Sequence, residues 1–298
     1  MSMQGINPEY LETAKRVRES FGEGDAARDA GLVRPDDVAW EDDIAYGPDE
    51  KWNLLDIYYP KETEGLLPAI VSIHGGGWIY GTKEVYQYYG CSLAEHGFAV
   101  VNFNYRLAPE HPFPASLEDV NRVFTWIREH GREHHIDPEK LFAVGDSAGA
   151  QLCSQYMAML TNPEFAAYYD FTLPKVRVLA VGLNCGCYDI TSRETEDGIL
   201  QAYFGGDPAE FAPRVDTMAY LNAQFPPAFV MTACHDFLRS AAEPMKEALQ
   251  AHGVEAEYHL YGTEDQKEIG HVFHCNVRLE EAKKCNDDEC AFFKKHLG

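Results

Sequence analysis

Positive charge is in short supply in this 298-residue chain: 25 lysines and arginines stand against 48 aspartates and glutamates, a formal net charge of −23. A surface so balanced repels polyanions, which excludes nucleic acid and anionic membranes as partners and leaves small neutral or cationic ligands. Long apolar runs are missing too. The longest, PAIVSI and VRVLAVGL, have strand length and fall far short of the roughly 18 residues needed to cross a bilayer. The first residues, MSMQGINPEYLETAKRVRESFGEGD, scatter acids and contain no apolar leader core, so a cytoplasmic protein is expected. The eight cysteines (91, 153, 185, 187, 234, 275, 285 and 290) lack framework spacing and fall in apolar segments, so free, mostly buried thiols are expected. Near the C-terminus His271, His274, Cys275, Cys285 and Cys290 invite a zinc reading. Cys285 and Cys290, however, are five positions apart, about 140° around a helix, and do not converge on one ion. No metal and no cofactor is expected. Repeats, low-complexity tracts and flexible linkers are absent from the sequence as well.

What is present is an alternation of strands and helices. At 45% hydrophobic residues the chain can bury a sizeable core, and its length fits one large α/β domain spanning 1–298. Asn7 and Pro8 read as an N-cap and first-turn proline, followed by an apolar stripe of Tyr10, Ala14, Val17 and Phe21 and then an acidic loop. VAWEDDIAYGP, KWNLLDIYYP, LLPAIVSIH and GFAVVNFNYR read as strands. Thereafter KLFAVGD, KVRVLAVGL, PPAFVMTA and VEAEYHLYG alternate with helices, including a stripe of Leu117, Val120, Phe124 and Ile127. This pattern predicts an α/β fold with a mostly parallel sheet covered on both faces. Tyr188 to Gln224 is too long for an ordinary crossover and carries its own short helix, ETEDGILQAYF. With the N-terminal segment it is expected to form lid elements, about 1–40 and 188–224, over the sheet's carboxyl edge.

VGDSAGA, residues 144–150, places Gly-x-Ser-x-Gly between a predicted strand and a predicted helix, the setting of a nucleophile elbow. Gly145 and Gly149 let the chain turn sharply enough to raise Ser147 above the sheet. The helix beginning at Ala148 points unsatisfied amides at the same place. HGGGW, following the third strand, leaves bare backbone at Gly75, Gly76 and Gly77. Acyl transfer needs N–H donors for a tetrahedral oxyanion, one from the residue after the nucleophile and others from this loop, and losing one costs roughly 3 to 4 kcal/mol in the barrier. Ala148, Gly75, Gly76 and Gly77 are therefore the expected oxyanion donors.

HGGGW, YRLAPEHPFPA (Tyr105–Ala115) and GDSAG, in that order, resemble the three markers of the hormone-sensitive-lipase-like branch of the α/β-hydrolases, which includes bacterial carboxylesterases and acetyl esterases. The resemblance covers roughly Asp43 to the C-terminus. It implies an α/β-hydrolase fold with an eight-stranded sheet and a small helical lid. It also implies a serine carboxylesterase for short acyl groups, acetylated carbohydrates being one option. Non-catalytic small-molecule receptors and serine peptidases on the same fold are the alternatives.

A serine hydroxyl needs a histidine to take its proton and an acid to orient that histidine, in the chain order Ser, acid, His. The acid is expected at the end of PPAFVMTA, at Asp236, where the family has Asp-Pro-Leu-Arg and this chain has Phe237 in place of proline. Asp189, one strand earlier, is the alternative. His271 is the expected base, resembling the family's His-Gly-Phe with Val272 in place of glycine; His274 stands close by as the competitor. His235 is expected to be a loop residue. Asp146 and Glu110 are read as supporting partners around the elbow and Trp78 as packing beside the oxyanion loop. Tyr86, Tyr88 and Tyr89 offer a stacking surface for a sugar ring. Since the base must be neutral, activity is expected to fall on acidification through the range where histidine side chains titrate, roughly 6.5.

Overall fold

The computed structural model describes residues 5–190 and 198–298. Its centre is an eight-stranded sheet of β1 (Val38–Ala45), β2 (Leu54–Pro60), β3 (Leu67–Ile73), β4 (Ala99–Phe103), β5 (Ile136–Asp146), β6 (Val178–Asn184), β7 (Ala228–Ala233) and β8 (Ala256–Tyr261). The spatial order is β1-β2-β4-β3-β5-β6-β7-β8. β1 and β2 pair antiparallel, as do β2 and β4, and every later pairing is parallel. Residues in the middle of the sheet have no polar face to show: AVVNF in β4 and AFVMTA in β7 are buried throughout. β1, at the margin, alternates between covered and exposed positions.

Helices cover both faces. α1 is Pro8–Asp29, α2 Gln87–Ala94, α3 Ala115–His130, α4 Ala148–Thr161, α5 Pro163–Ala166, α6 Ile199–Phe204, α7 Ala212–Val215, α8 Arg239–Ala251 and α9 Glu280–Lys295. α3, α4 and α8 pack one apolar cluster against the sheet, and α2 and α9 pack another on the opposite face. The predicted stripe of α3, Leu117, Val120, Phe124 and Ile127, is wholly buried. No helix among the described residues is long and apolar enough to cross a membrane. Seven of the eight cysteines are buried and all are free thiols, Cys234 being partly exposed.

Two segments depart from expectation. α1 starts as the sequence predicts, the Asn7 side chain accepting from the Glu9 amide, but continues through Gly22 and Gly24 to Asp29 where an acidic loop is expected. Side-chain anchors in its second half explain this: Tyr80 donates to Asp25 at 2.7 Å, and Arg28 pairs with Asp25 and Asp29 and donates to the Val85 carbonyl. Of the short helix expected from Glu194, the part before Gly198 lies outside the described residues; the described part is α6.

The carboxyl ends of β5, β7 and β8 open on the same edge of the sheet, which brings together segments distant along the chain. A single parallel bridge, His235 with Gly270, ties the loop after β7 to the loop after β8.

Candidate active site

The strand β5 ends at Asp146, the helix α4 begins at Ala148, and Ser147 makes the turn with φ 53° and ψ −115°. A non-glycine residue held there costs on the order of 1–3 kcal/mol and needs a surrounding that fixes it. Both flanking glycines supply that by close approach. A Cβ on Gly145 would stand 2.3 Å from the Gly149 carbonyl oxygen, and one on Gly149 would stand 2.0 Å from that of Ile73. The Ser147 amide donates to the Asn184 carbonyl at 2.9 Å, which pins the turn to β6.

Oγ of Ser147 lies 3.0 Å from Nε2 of His271, and Nδ1 of His271 lies 2.7 Å from Oδ1 of Asp236. Asp236 also accepts from the Leu238 amide and the Thr232 hydroxyl, both at 2.8 Å. Burial pushes its carboxyl up, but the hydrogen bond and charge of His271, with those two donors, outweigh it and hold the group below the ordinary carboxylate range. An ionised Asp236 accepts a hydrogen bond from Nδ1–H of His271, so Nε2 is left to accept from Ser147.

The competing residues stand elsewhere. His274 is fully buried against the edge of Tyr89, and burial lowers its pKa to about 3. Asp189 is exposed on the loop after β6, and His235 is bonded through Nε2 to the Glu264 carbonyl. Cys285 and Cys290 are both buried on α9. Among the described residues two sets of three metal-ligating groups have ligand atoms within 4.8 Å of one another: Asp146, His274 and Cys275, and Cys185, Asp236 and His271. In both, burial raises the thiol well above its ordinary value and so keeps it protonated.

The glycine loop corrects the sequence reading in two ways. Gly75 is not an oxyanion donor, because its N–H is spent on the Tyr86 hydroxyl at 2.9 Å. Gly76 and Gly77 are the loop amides with no protein acceptor among the described residues, and Ala148 opens α4, whose first amides have no partner in the helix. Nor are the first two glycines bare simply to admit a ligand. A Cβ on Gly75 would meet Asp146 Oδ2 at 2.5 Å, and one on Gly76, at φ +106°, would meet the Tyr80 carbonyl oxygen at 2.3 Å. The loop is held from behind by His74, whose Nδ1 donates to the Gly75 carbonyl and whose ring stacks on Tyr105 at 4.0 Å. The Tyr105 hydroxyl donates to the His74 carbonyl, which gives the YRLAPEH motif its part in the site.

Trp78 packs beside this loop as expected, stacked on Tyr203 at 4.6 Å. Asp146 accepts from Tyr86 at 2.7 Å, and burial raises its pKa to about 6. Glu110 does not support the elbow: it clamps α1, taking two 2.7 Å bonds from Arg18, whose remaining donors reach the carbonyls of Ile79 and Ala108. Tyr86 and Tyr89 are 6% and 2% exposed and present no open ring face on which a sugar could stack. The hydroxyl of Tyr86 is committed to Asp146, that of Tyr88 to the Leu32 carbonyl and that of buried Tyr89 to Glu289.

These groups open into a cavity of about 440 Å³. Its walls include Phe21, Asp25 and Arg28 of α1, Ile199 and Leu200 of α6, and Tyr80 and Phe237. Sequence reasoning missed this aromatic wall. Phe21 carried a signal, as the last member of a stripe whose inner members, Ala14 and Val17, are buried while Phe21 is 42% exposed. Glu289 was missed too. It is fully buried on α9, accepts from Asn184 and Tyr89, and is raised to about 7 by burial. Four positions after Cys285 and three before Phe292, it occupies the apolar face of that helix.

Comparison with known proteins gives a consistent picture. A family model described as alpha/beta hydrolase fold matches residues 70–274. Carboxylesterase NlhH of Mycobacterium tuberculosis is 33% identical over 213 residues, 67% of this chain and 66% of that protein. The match thus spans just under two thirds of that relative's length. The Pyrobaculum calidifontis esterase structure superposes with TM-score 0.77 at 26% identity over 95% of this chain and 93% of that one. Esterase B from Lactobacillus rhamnosis superposes with TM-score 0.87 at 22% identity, over 97% and 95% respectively.

Proposed function

We propose, for a chain that belongs to the hormone-sensitive-lipase-like branch of the α/β-hydrolase fold family, that it is a serine carboxylesterase cleaving short-acyl esters. One observation carries the reading: the continuous chain from Asp236 through His271 to Ser147, with contacts of 2.7 and 3.0 Å, at the mouth of a cavity that also holds the free amides of Gly76 and Gly77. The names of the curated relatives, carboxylesterase NlhH among them, support the same activity.

The residues divide the work as follows. Ser147 gives its proton to Nε2 of His271 as Oγ attacks the ester carbonyl. The imidazolium that forms is stabilised by Asp236. The carbonyl oxygen, now carrying charge, is received by the amides of Gly76, Gly77 and Ala148. His271 then returns the proton to the alcohol oxygen, the alcohol leaves, and water cleaves the acyl-enzyme by the same steps in reverse. α1 and α6 serve as the lid, since Phe21, Asp25 and Arg28 of the one and Ile199 and Leu200 of the other line the cavity. A cavity of about 440 Å³ has room for a small-molecule ester, and the short acyl group is what the family resemblance implies.

Labelling with a fluorophosphonate and a p-nitrophenyl ester series from acetate to palmitate, run beside an acetylated sugar, tests this. The label is expected on Ser147, lost in Ser147→Ala, with hydrolysis fastest from acetate to butyrate. An unlabelled, inactive protein would favour a binding role instead, and preference for palmitate would overturn the short-acyl assignment.

A further inference from the structure

The assignment of an esterase leaves the alcohol half of the substrate open, and Phe237 bears on it. This residue directly follows Asp236 in the loop after β7. Its ring is 69% exposed, and it meets the imidazole of His271 with ring centroids 4.2 Å apart and planes at 44°. Both side chains line the cavity. Because His271 must hand its proton to the departing alkoxide, the alcohol oxygen passes within hydrogen-bond reach of Nε2. Whatever is bonded to that oxygen therefore lies beside the imidazole, against the ring of Phe237. The carbonyl oxygen meanwhile is turned to Gly76, Gly77 and Ala148, so the acyl half is positioned by a different part of the cavity.

A second open aromatic ring lines the same cavity. Phe21 is 42% exposed and makes an edge contact with Tyr80 at 5.7 Å. Besides His271, the charged groups in the wall are committed to protein: Asp25 accepts from Tyr80 and pairs with Arg28, Arg28 pairs with Asp25 and Asp29, and Asp146 accepts from Tyr86. The wall thus offers ring faces and edges to a substrate and spends its ions on itself. Large aromatic side chains left open to water beside a reacting centre gain by stacking a flat ligand group.

Resting on the esterase reading, we propose that Phe237 forms the alcohol subsite and that the preferred substrates are short-acyl esters of aromatic or arylmethyl alcohols, the ring of the alcohol lying on Phe237 with Phe21 at the rim. Phe237 is a specificity-determining residue in this scheme and takes no part in proton transfer.

The test compares kcat/KM for benzyl acetate and cyclohexylmethyl acetate, whose alcohols are close in size and basicity but differ in flatness. The ratio is the readout, so a general loss of rate from disturbing His271 cancels. The wild-type protein is expected to favour the benzyl ester about two- to tenfold, the range of an aromatic pair. Phe237→Leu and Phe237→Pro are expected to bring the ratio near one, and Phe237→Trp to retain the preference. A wild-type ratio near one, or a preference that survives in Phe237→Leu, overturns the proposal. Equilibrium binding of benzyl alcohol and cyclohexylmethanol, followed by saturation-transfer NMR, separates the two claims. Benzyl preference in binding that is lost in Phe237→Leu, without turnover of any ester, would keep the subsite and remove the esterase reading. Turnover without preference would do the reverse.

Discussion

The hydroxyl of Tyr86 donates to Oδ2 of Asp146 at 2.7 Å while accepting the Gly75 amide at 2.9 Å. One oxygen thereby fastens the glycine loop to the residue preceding Ser147. Tyr86→Phe removes that fastening and leaves a buried N–H and a buried carboxyl without their partner. Since losing an oxyanion donor outright costs about 10²–10³ in kcat, a displaced loop is expected to cost about ten- to a hundredfold. KM should stay within about twofold, and unfolding in urea should show a loss of about 1–3 kcal/mol. A KM effect with kcat preserved would mean that Tyr86 shapes the cavity and leaves the donors where they were.

Asp236→Asn keeps the shape of the acid and removes its charge. The amide no longer holds the Nδ1 proton of His271, and the imidazolium loses its partner. A fall in kcat of about 10⁴ is expected, with the protein still folded by circular dichroism. Retention of more than a tenth of the activity would move the acid's role to another carboxylate.

Gly76→Ala tests why the loop has no side chains. At φ +106° with a Cβ 2.3 Å from the Tyr80 carbonyl oxygen, the alanine cannot be seated without moving the loop. Hydrolysis is expected to fall about 10²–10³-fold. Binding of a substrate-like ketone that forms no tetrahedral adduct should change far less.

Glu289 makes stability depend on pH. Its folded pKa is raised from 4.5 to about 7 by burial, so the folded protein holds this proton more tightly than the unfolded chain. The resulting stabilisation is complete below about 4.5 and is lost as pH rises through about 7. A shift of that size corresponds to about 3 kcal/mol. Glu289→Gln, neutral throughout, should therefore gain on the wild type by up to about 3 kcal/mol between pH 4.5 and pH 8 in urea unfolding. A difference independent of pH would contradict the assignment.

The sheet could be read from sequence because its strands are locally explicit: AVVNF and AFVMTA are apolar but for Asn102 and Thr232 and show no polar alternation, as expected of strands covered on both faces. The elbow was legible for a related reason, since Gly145 and Gly149 announce close backbone approach. Choices that depend on burial were not. His271 and His274 are three positions apart with similar neighbours, and what separates them is that one ring reaches Ser147 and the other is sealed behind Tyr89. Gly75 looked like its two neighbours until the Tyr86 hydroxyl, eleven residues on, was seen to occupy its amide. The end of α1 was misread because propensity alone stops a helix near Gly22 and Gly24, whereas bonds to Tyr80 and Val85 carry it on to Asp29.

The clamp between Arg18 and Glu110 has a bearing on how such a molecule diversifies. Part of the cavity wall belongs to α1, which is held by the buried Ala14 and Val17 as well as by polar contacts such as this clamp, so substitutions on its cavity-facing side can reshape the pocket without touching Ser147, His271 or Asp236. Selection for a new ester would find its cheapest edits among the first thirty residues, and laboratory evolution should look there first.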